Sequence, residues 1–346
     1  GGLRRWGLTQ DRPEPPQRPH SRALGTLAGS RDGRLLATGS SDGSIAVLSL
    51  PSLALRYASL RLSPPHGAVT ALAIAPTGRL LAAGYADGTL AWFDLEQGTL
   101  RGPPTKTQGQ AVTALAFDGE GRRLYSGGFD GGLRVFDAAS GQRRCEREPD
   151  LAPAHGDALT SLALRPSGTL LASAGRDGRI WLWALATAVE SANDGGCPRR
   201  LGEPLRPHRG AINSVAFAGD GGLLASGGDD TQVWLSDPDR RQPLGQALRG
   251  HRRAVHSVAF AAAGLLLSAD DETVRRWDTR ATTWAQTACE RAGRNLSLAE
   301  WRQALGDAPY CRVCPQQPSG VDAPSPAPAC VEAPADKARP AEDEAS

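Results

Sequence analysis

The side chains able to do chemistry are few, and most of them are periodic. Six histidines stand at positions 20, 66, 155, 208, 251 and 256. A catalytic imidazole needs a nucleophile or a metal beside it. Five of the six instead open a repeated unit, and only His256 falls on an inner strand of the last one. Such recurrence is a requirement of a scaffold, not of an active site. The acidic pairs Asp229-Asp230 and Asp270-Asp271 could hold a cation or act as general acid and base, but the second residue of each falls at a repeated turn. Cys311-Arg-Val-Cys314 has Cys-x-x-Cys spacing without the second pair that would complete four zinc ligands. Lysine occurs only at 106 and 337, and Pro-Pro-Thr-Lys106-Thr is no phosphate-binding loop. No Gly-x-Ser-x-Gly elbow or His-Glu-x-x-His helix is present. The sequence therefore implies no catalytic residue, no cofactor and no metal.

The 346 residues carry 39 Lys plus Arg against 37 Asp plus Glu, a net charge of +2. So even a balance sets up no field for polyanions, which argues against nucleic acid and anionic membranes as partners. No apolar run approaches the ~18 residues of a membrane span. Methionine is absent, and residue 1 falls inside a structural unit, so the chain reads as the C-terminal piece of a longer protein. Six cysteines over this length are too sparse and uneven for a disulfide scaffold. Cys289 and Cys314 could pair and tie down a helical segment, but a reducing cytoplasm, the compartment expected here, favours two free thiols in a small apolar cluster.

The elements that position these residues repeat. Ser126-Gly-Gly-Phe-Asp130-Gly-Gly-Leu-Arg-Val-Phe-Asp137 aligns with Ser173-Ala-Gly-Arg-Asp177-Gly-Arg-Ile-Trp-Leu-Trp183 and with Ser226-Gly-Gly-Asp-Asp230-Thr-Gln-Val-Trp-Leu-Ser-Asp237. The pattern recurs at Asp42, Asp87 and Asp271, giving turn spacings of 45, 43, 47, 53 and 41 residues. Each unit holds three short alternating segments, such as Val112 to Phe117, Arg123 to Ser126 and Leu133 to Phe136, closed by X-Gly and Asp-Gly turns. These are antiparallel strands joined by hairpins, with a weaker fourth strand after them. A four-stranded unit every ~40 to 45 residues predicts an all-β fold, a β-propeller. Gly1-Gly-Leu-Arg-Arg-Trp-Gly-Leu8 matches the stretch from Gly131, so six units follow a first blade cut in half, and seven or more blades are expected in the parent.

The units resemble the WD-repeat (WD40) family, which opens on a Gly-His-like dipeptide, places Asp in the hairpin turn and closes on Trp-Asp. His66, His155, His208 and His251 take the opening place, His20 fits it, and Trp277-Asp278 is the full closing pair. The resemblance implies a buried network of His, an innermost-strand Ser or Thr, turn Asp and Trp. Carried over, it would be complete as His155, Ser161, Asp177 and Trp183, and as His251, Ser257, Asp271 and Trp277. Elsewhere Leu48, Phe93, Phe136 and Ser236 replace the Trp. The resemblance also implies that the residue before each turn Asp lies on the narrower, partner-binding face. Those residues are Ser41, Ala86, Phe129, Arg176, Asp229 and Asp270, with Asn213, His256, Thr113 and Thr160 beside them. Phe129 and Arg176 are the expected anchors.

The propeller is expected over 1–278, a helical cap docking on it over 279–315, and a disordered tail of Pro, Ala and acidic residues over 316–346. Trp284 to Ala292 reads as one helix, and Ser297-Leu-Ala-Glu300 as the capping box of a second. The stretch from Ala288 through Trp301 to Cys314-Pro315 resembles the tail after WD repeats in large bacterial signalling proteins of the STAND NTPase type, where an upstream domain is an NTPase, peptidase or kinase. The expected function is a non-enzymatic module that binds a protein or peptide partner and relays its occupancy to that upstream effector domain. The alternative is a propeller enzyme with its site in the central channel, where His256 would be the sole titratable inner-strand side chain.

Overall fold

The structure, a computed structural model, describes residues 2–7, 10–13, 16–145, 154–185, 197–261, 264–305, 309–324 and 327–330. It divides into two compact units, Gly1–Trp277 and Asp278–Ser346.

The first unit is a six-bladed β-propeller of mostly four-stranded antiparallel sheets, preceded by a two-stranded hairpin. Blade 1 runs Leu24–Gly29, Leu35–Ser40, Ile45–Ser49 and Ala54–Leu60, innermost strand first. Blades 2 to 5 repeat that order from the inner strands Val69–Ile74, Val112–Phe117, Leu159–Leu164 and Ile212–Phe217. Blade 6 has three strands, Ser257–Ala261, Leu265–Ala269 and Val274–Asp278. The leading hairpin pairs Trp6–Gly7 with Gln10–Pro13.

Alternation decides where the core sits. Apolar side chains leave both faces of each sheet, and the space between adjacent sheets is the only place to bury them. Ile45 and Val47 of blade 1 pack with Leu72 and Leu81 of blade 2. Leu90 and Trp92 of blade 2 meet Phe117, Leu124 and Phe136 of blade 3, and Val233 and Leu235 of blade 5 meet Val258 and Leu266 of blade 6. No blade owns its core. The hairpin turns need a residue at positive φ after the Asp, and Gly43, Gly88, Gly131 and Gly178 supply it at φ 79, 87, 73 and 71°. Blade 5 uses Thr231 at φ 66°, a costly conformation for a β-branched residue.

The cysteines correct the expectation of free thiols, for all six are paired, as Cys145–Cys197, Cys289–Cys314 and Cys311–Cys330. Cys145 directly follows the outer strand Arg143–Arg144 of blade 3, and Cys197 shortly precedes the outer strand Arg199–Arg200 of blade 4, so this cystine staples two neighbouring rims.

The second unit contains helix α1, Ala281–Ala292, which begins three residues before the predicted one, and helix α2, Leu298–Leu305. Gly293 ends α1 at φ 64°, its N–H donating to the Cys289 carbonyl. Ser297 and Glu300 form the capping box, with the Ser297 amide donating to Glu300 Oε2 at 2.8 Å and the Glu300 amide to Ser297 Oγ at 3.2 Å. Buried Asn295 donates to the carbonyls of Cys314, Gln317 and Pro318 and accepts from the Cys314 amide. Of the segment after 315 expected to be disordered, residues 325–326 and 331–346 lie outside the described residues, and the described part makes specific contacts. Arg312 bridges Ala329 in parallel, Ala327 is buried, and Cys330 is bonded to Cys311. The two cystines stand in for the apolar core that so small a unit cannot assemble.

Candidate functional site

The histidines and turn aspartates are brought together inside the blades. In blade 4, His155 Nδ1 lies 3.0 Å from Asp177 Oδ1, His155 Nε2 lies 2.9 Å from Ser173 Oγ, and Trp183 Nε1 donates to the same Oγ at 2.9 Å. The proton positions follow from chemistry. A carboxylate only accepts, so Nδ1 carries the hydrogen; the neutral ring then accepts at Nε2 from the serine hydroxyl, which accepts from the indole. The chain of donation runs Trp, Ser, His, Asp. It ends on a carboxylate that also takes the Gly156 and Arg179 amides at 3.1 Å each. Burial pushes the Asp177 carboxyl up, but the hydrogen bond from His155 and these amides outweigh it and hold it below the usual carboxylate range.

Two assignments within the networks are corrected. The central hydroxyl is Ser173 on the second strand, not Ser161, whose Oγ instead accepts the amide of Val215 in blade 5 at 3.2 Å. In blade 6 it is Ser268, not Ser257, that binds His251 Nε2 at 2.6 Å and Trp277 Nε1 at 2.8 Å. The blade 6 carboxylate is Asp270, not Asp271, at 2.9 Å from His251 Nδ1. Six residues separate Ser268 from Val274, against seven from Ser173 to Ile180, and in this shorter turn the Asp stands two residues after the serine instead of four. Like every other turn Asp, Asp270 accepts the amide two residues on, here Glu272 at 2.9 Å.

The remaining networks are variants. His208 bridges Asp230 at 2.8 Å and Ser226 at 2.9 Å without a Trp, and burial lowers its pKa despite Asp230. In blade 1, His20 is held by Ser44 and Thr38 at 2.7 Å each, and burial lowers its pKa as well. Blade 3 contains a solution that was not anticipated. Gln108 takes the histidine position, four residues before Val112 as His155 is before Leu159, and its Oε1 accepts from Arg134 Nη1 at 2.7 Å. Arg134 in turn pairs with Asp130 through both guanidinium nitrogens. The signal was there in the spacing of Gln108 and in Arg134 at a strand position occupied by Ala46, Ala91, Trp181 and Trp234 in blades 1, 2, 4 and 5.

With the imidazoles committed, the exposed residues that precede the turn aspartates remain. Ser41, Ala86, Phe129, Arg176 and Asp229 are all exposed. They share one tether, the backbone amide of each donating to the carbonyl of Ala23, Ala68, Ala111, Ala158 and Ala211 in turn, at 2.9 to 3.0 Å. Phe129 is 46 % exposed. Asn213 lies beside Asp229, donating to its Oδ1 at 2.8 Å. The sixth face position is the one reassigned. Asp270 is buried in the network with 3 % of its side chain exposed, whereas Asp271 is exposed and pairs with His256 Nε2 at 3.0 Å. Among the described residues no cluster of His, Cys, Asp or Glu is arranged to hold a metal.

Six segments, 16–48, 59–94, 97–137, 149–184, 199–237 and 242–278, match the WD domain, G-beta repeat, and together they make up more than half of the chain. The chain belongs to the WD40 repeat family. WD40 propellers are generally non-catalytic scaffolds that bind proteins. Partial similarity extends to the Protein HIRA of Dictyostelium discoideum, 35 % identical over 83 residues, 23 % of this chain and 8 % of that protein. It extends also to the Protein HIR1 of Mycosarcoma maydis, 36 % identical over 100 residues, 26 % of this chain and 10 % of that protein. The WD40 chain thus matches about a tenth of the length of these relatives. The STAND NTPase context implied by the C-terminal motif gains no support from these matches.

Proposed function

We propose that this WD40 propeller is a protein-binding platform whose contact surface is the narrower face around Phe129 and Arg176. The carrying observation is the contrast between uniform backbone and non-uniform side chains there: five positions held by the same amide tether present Ser, Ala, Phe, Arg and Asp. A rigid frame with interchangeable contacts is what partner recognition uses. An aromatic ring nearly half exposed and an unburied guanidinium supply the anchoring chemistry that interfaces enrich. In this reading the platform reports its occupancy to other domains of a larger protein. The three cystines favour an oxidising compartment over the cytoplasm expected from the sequence.

The test is affinity capture with the wild-type chain and the Phe129→Ala and Arg176→Ala variants. A partner retained by wild type and lost from both variants, with melting unchanged, supports the face. Equal retention by all three rejects it.

A further inference from the structure

Neighbouring blades also meet at the end of their strands opposite the Asp turns. Between blades 4 and 5 that junction is bridged: Arg165, which opens the first turn of blade 4, reaches Asp239, just after the third strand of blade 5, through two contacts of 2.7 and 2.8 Å. Between blades 2 and 3 the matching residues are Ala75 and Ala139. The match follows from the backbone. The amides of Ala75 and Arg165 donate to the carbonyls five residues on, Leu80 and Leu170, and those of Ala139 and Asp239 donate to the carboxylates two residues back, Asp137 and Asp237.

With two methyl groups where the other junction has a guanidinium and a carboxylate, a cleft of about 370 Å³ stays open. That volume suits a small organic ligand or one side chain of a partner. Its floor is apolar, made by Ala75, Leu80 and Ala138, all buried in the core that blades 2 and 3 share.

Three arginines line the cleft: Arg79 of the first turn of blade 2, Arg101 beyond the outer strand of that blade, and Arg122 of the first turn of blade 3. Their backbones are fixed. The carbonyls of Arg79 and Arg122 accept the amides of Leu95 and Ala138 at 2.8 Å each, and the Arg101 amide donates to the Trp92 carbonyl at 2.7 Å. Their charged ends are held only at the surface. Arg79 pairs with Glu96 and Arg122 with Glu120, every partner more than half exposed, and Arg101 donates to the Ala139 carbonyl at 3.1 Å. Exposed pairs of this kind contribute little and exchange readily for a stronger acceptor. The one carboxylate in the lining, Asp137, is already satisfied, its Oδ1 by the Ala139 and Ser140 amides and the Ser140 hydroxyl and its Oδ2 by Arg144 at 2.8 Å. The lining therefore keeps an excess of positive charge.

We infer that this cleft binds a phosphate monoester, its phosphoryl group among Arg79, Arg101 and Arg122 and its organic part against the apolar floor. A carboxylate has one charge and two oxygens, enough for one guanidinium fork. A phosphoryl group at neutral pH carries about two charges and three acceptor oxygens, enough to engage all three arginines. The ester is a small molecule or a phosphorylated side chain of another protein, and the same chemistry recognises both. The inference does not rest on the partner-binding reading, because Phe129 lies at the other end of the strand Arg123–Gly128 from Arg122.

Phenyl phosphate, a blocked pentapeptide with phosphoserine between alanines, and benzoate are titrated into the full chain, with binding read by calorimetry. Wild type should bind at least one phosphate ester saturably, with a Kd of about 1 mM or below, and benzoate about tenfold more weakly or not at all. Tighter binding of the peptide assigns the cleft to a phosphorylated protein, and tighter binding of phenyl phosphate assigns it to a small ester. Arg101→Ala with Arg122→Ala should weaken binding about tenfold or more. Ala139→Asp, which copies the carboxylate of Asp239, should abolish it. All three positions are exposed, so melting should not change. No saturable binding of either ester, benzoate bound as tightly as phenyl phosphate, or an affinity unchanged by these substitutions overturns the inference.

Discussion

Ser173→Ala isolates what the buried network is worth. Ser173 is 0 % exposed and serves two groups, accepting from Trp183 Nε1 and donating to His155 Nε2. Alanine fits the space but orphans both, and Trp183 and His155 are 0 and 2 % exposed, out of reach of water. A buried polar group left unsatisfied costs about 1–3 kcal/mol, so the loss should be about 2–6 kcal/mol. Ser226→Ala in blade 5 is the internal control. Its hydroxyl serves His208 alone, because Ser236 stands where the Trp would be, and its cost should be about half. Ser161→Ala removes one exchangeable hydrogen bond to Val215, about 0.5–1.5 kcal/mol. Urea unfolding followed by tryptophan fluorescence orders the three. Adding Trp183→Phe to Ser173→Ala removes one orphan and should show a favourable coupling of about 1–2 kcal/mol. The reasoning is refuted if Ser173→Ala costs no more than Ser226→Ala, or if Ser161→Ala costs the most.

Three further outcomes are expected. Thr231→Gly relieves a left-handed β-branched residue and should stabilise the propeller by about 1 kcal/mol, read as a rise in melting temperature, with a fall contradicting the turn geometry. Thiol titration of the denatured, unreduced chain should find no free cysteine. Reduction should remove about 3–4 kcal/mol for each loop of 19, 25 and 52 residues, and six titratable thiols in the native protein would refute the pairing. Burial lowers the His20 and His208 pKa values in the fold, so the unfolded chain binds more protons just below the ordinary value of 6.5, and stability should drop as pH falls through that value. Asp177, held low in the fold, adds a second loss as pH falls below the usual carboxylate value of 3.8. A melting temperature that stays constant between about pH 7.5 and 5.5 would argue against neutral, buried imidazoles.

Period-two alternation and the spacing of Asp-Gly turns made the sheets legible in the sequence, because both report backbone geometry directly. The hydroxyl of the network was not legible. Ser161 and Ser173 lie on adjacent strands, and only the register, which pairs Ser161 with Ala174 and Ser173 with Leu162 and Trp181, decides which one meets the histidine. Asp270 and Asp271 differ by one residue in a shortened turn, and neither stands four residues after Ser268 as Asp177 stands after Ser173, so spacing alone does not choose between them. The cystine between Cys145 and Cys197 spans 52 residues, and nothing in that spacing shows that two outer strands of neighbouring blades converge there.

The variants of the network also bear on function. If the imidazoles acted on a ligand, each blade would need the same reactive group in the same state. Instead blade 3 replaces His with Gln108 and closes the turn with the Arg134–Asp130 ion pair, and blade 1 inserts Ser44 between His20 and Asp42. What persists across these substitutions is the turn Asp accepting the amide two residues on, in all six blades. The amide one residue before that Asp is fixed in turn to the carbonyl ahead of the inner strand in blades 1 to 5. Chemistry inside the blade is thus exchangeable so long as the turn is fixed, and the turn is what sets the direction of Phe129, Arg176 and Asp229. The buried polar groups fix the turns, and on the proposed reading the exposed side chains that the turns carry are where binding specificity varies.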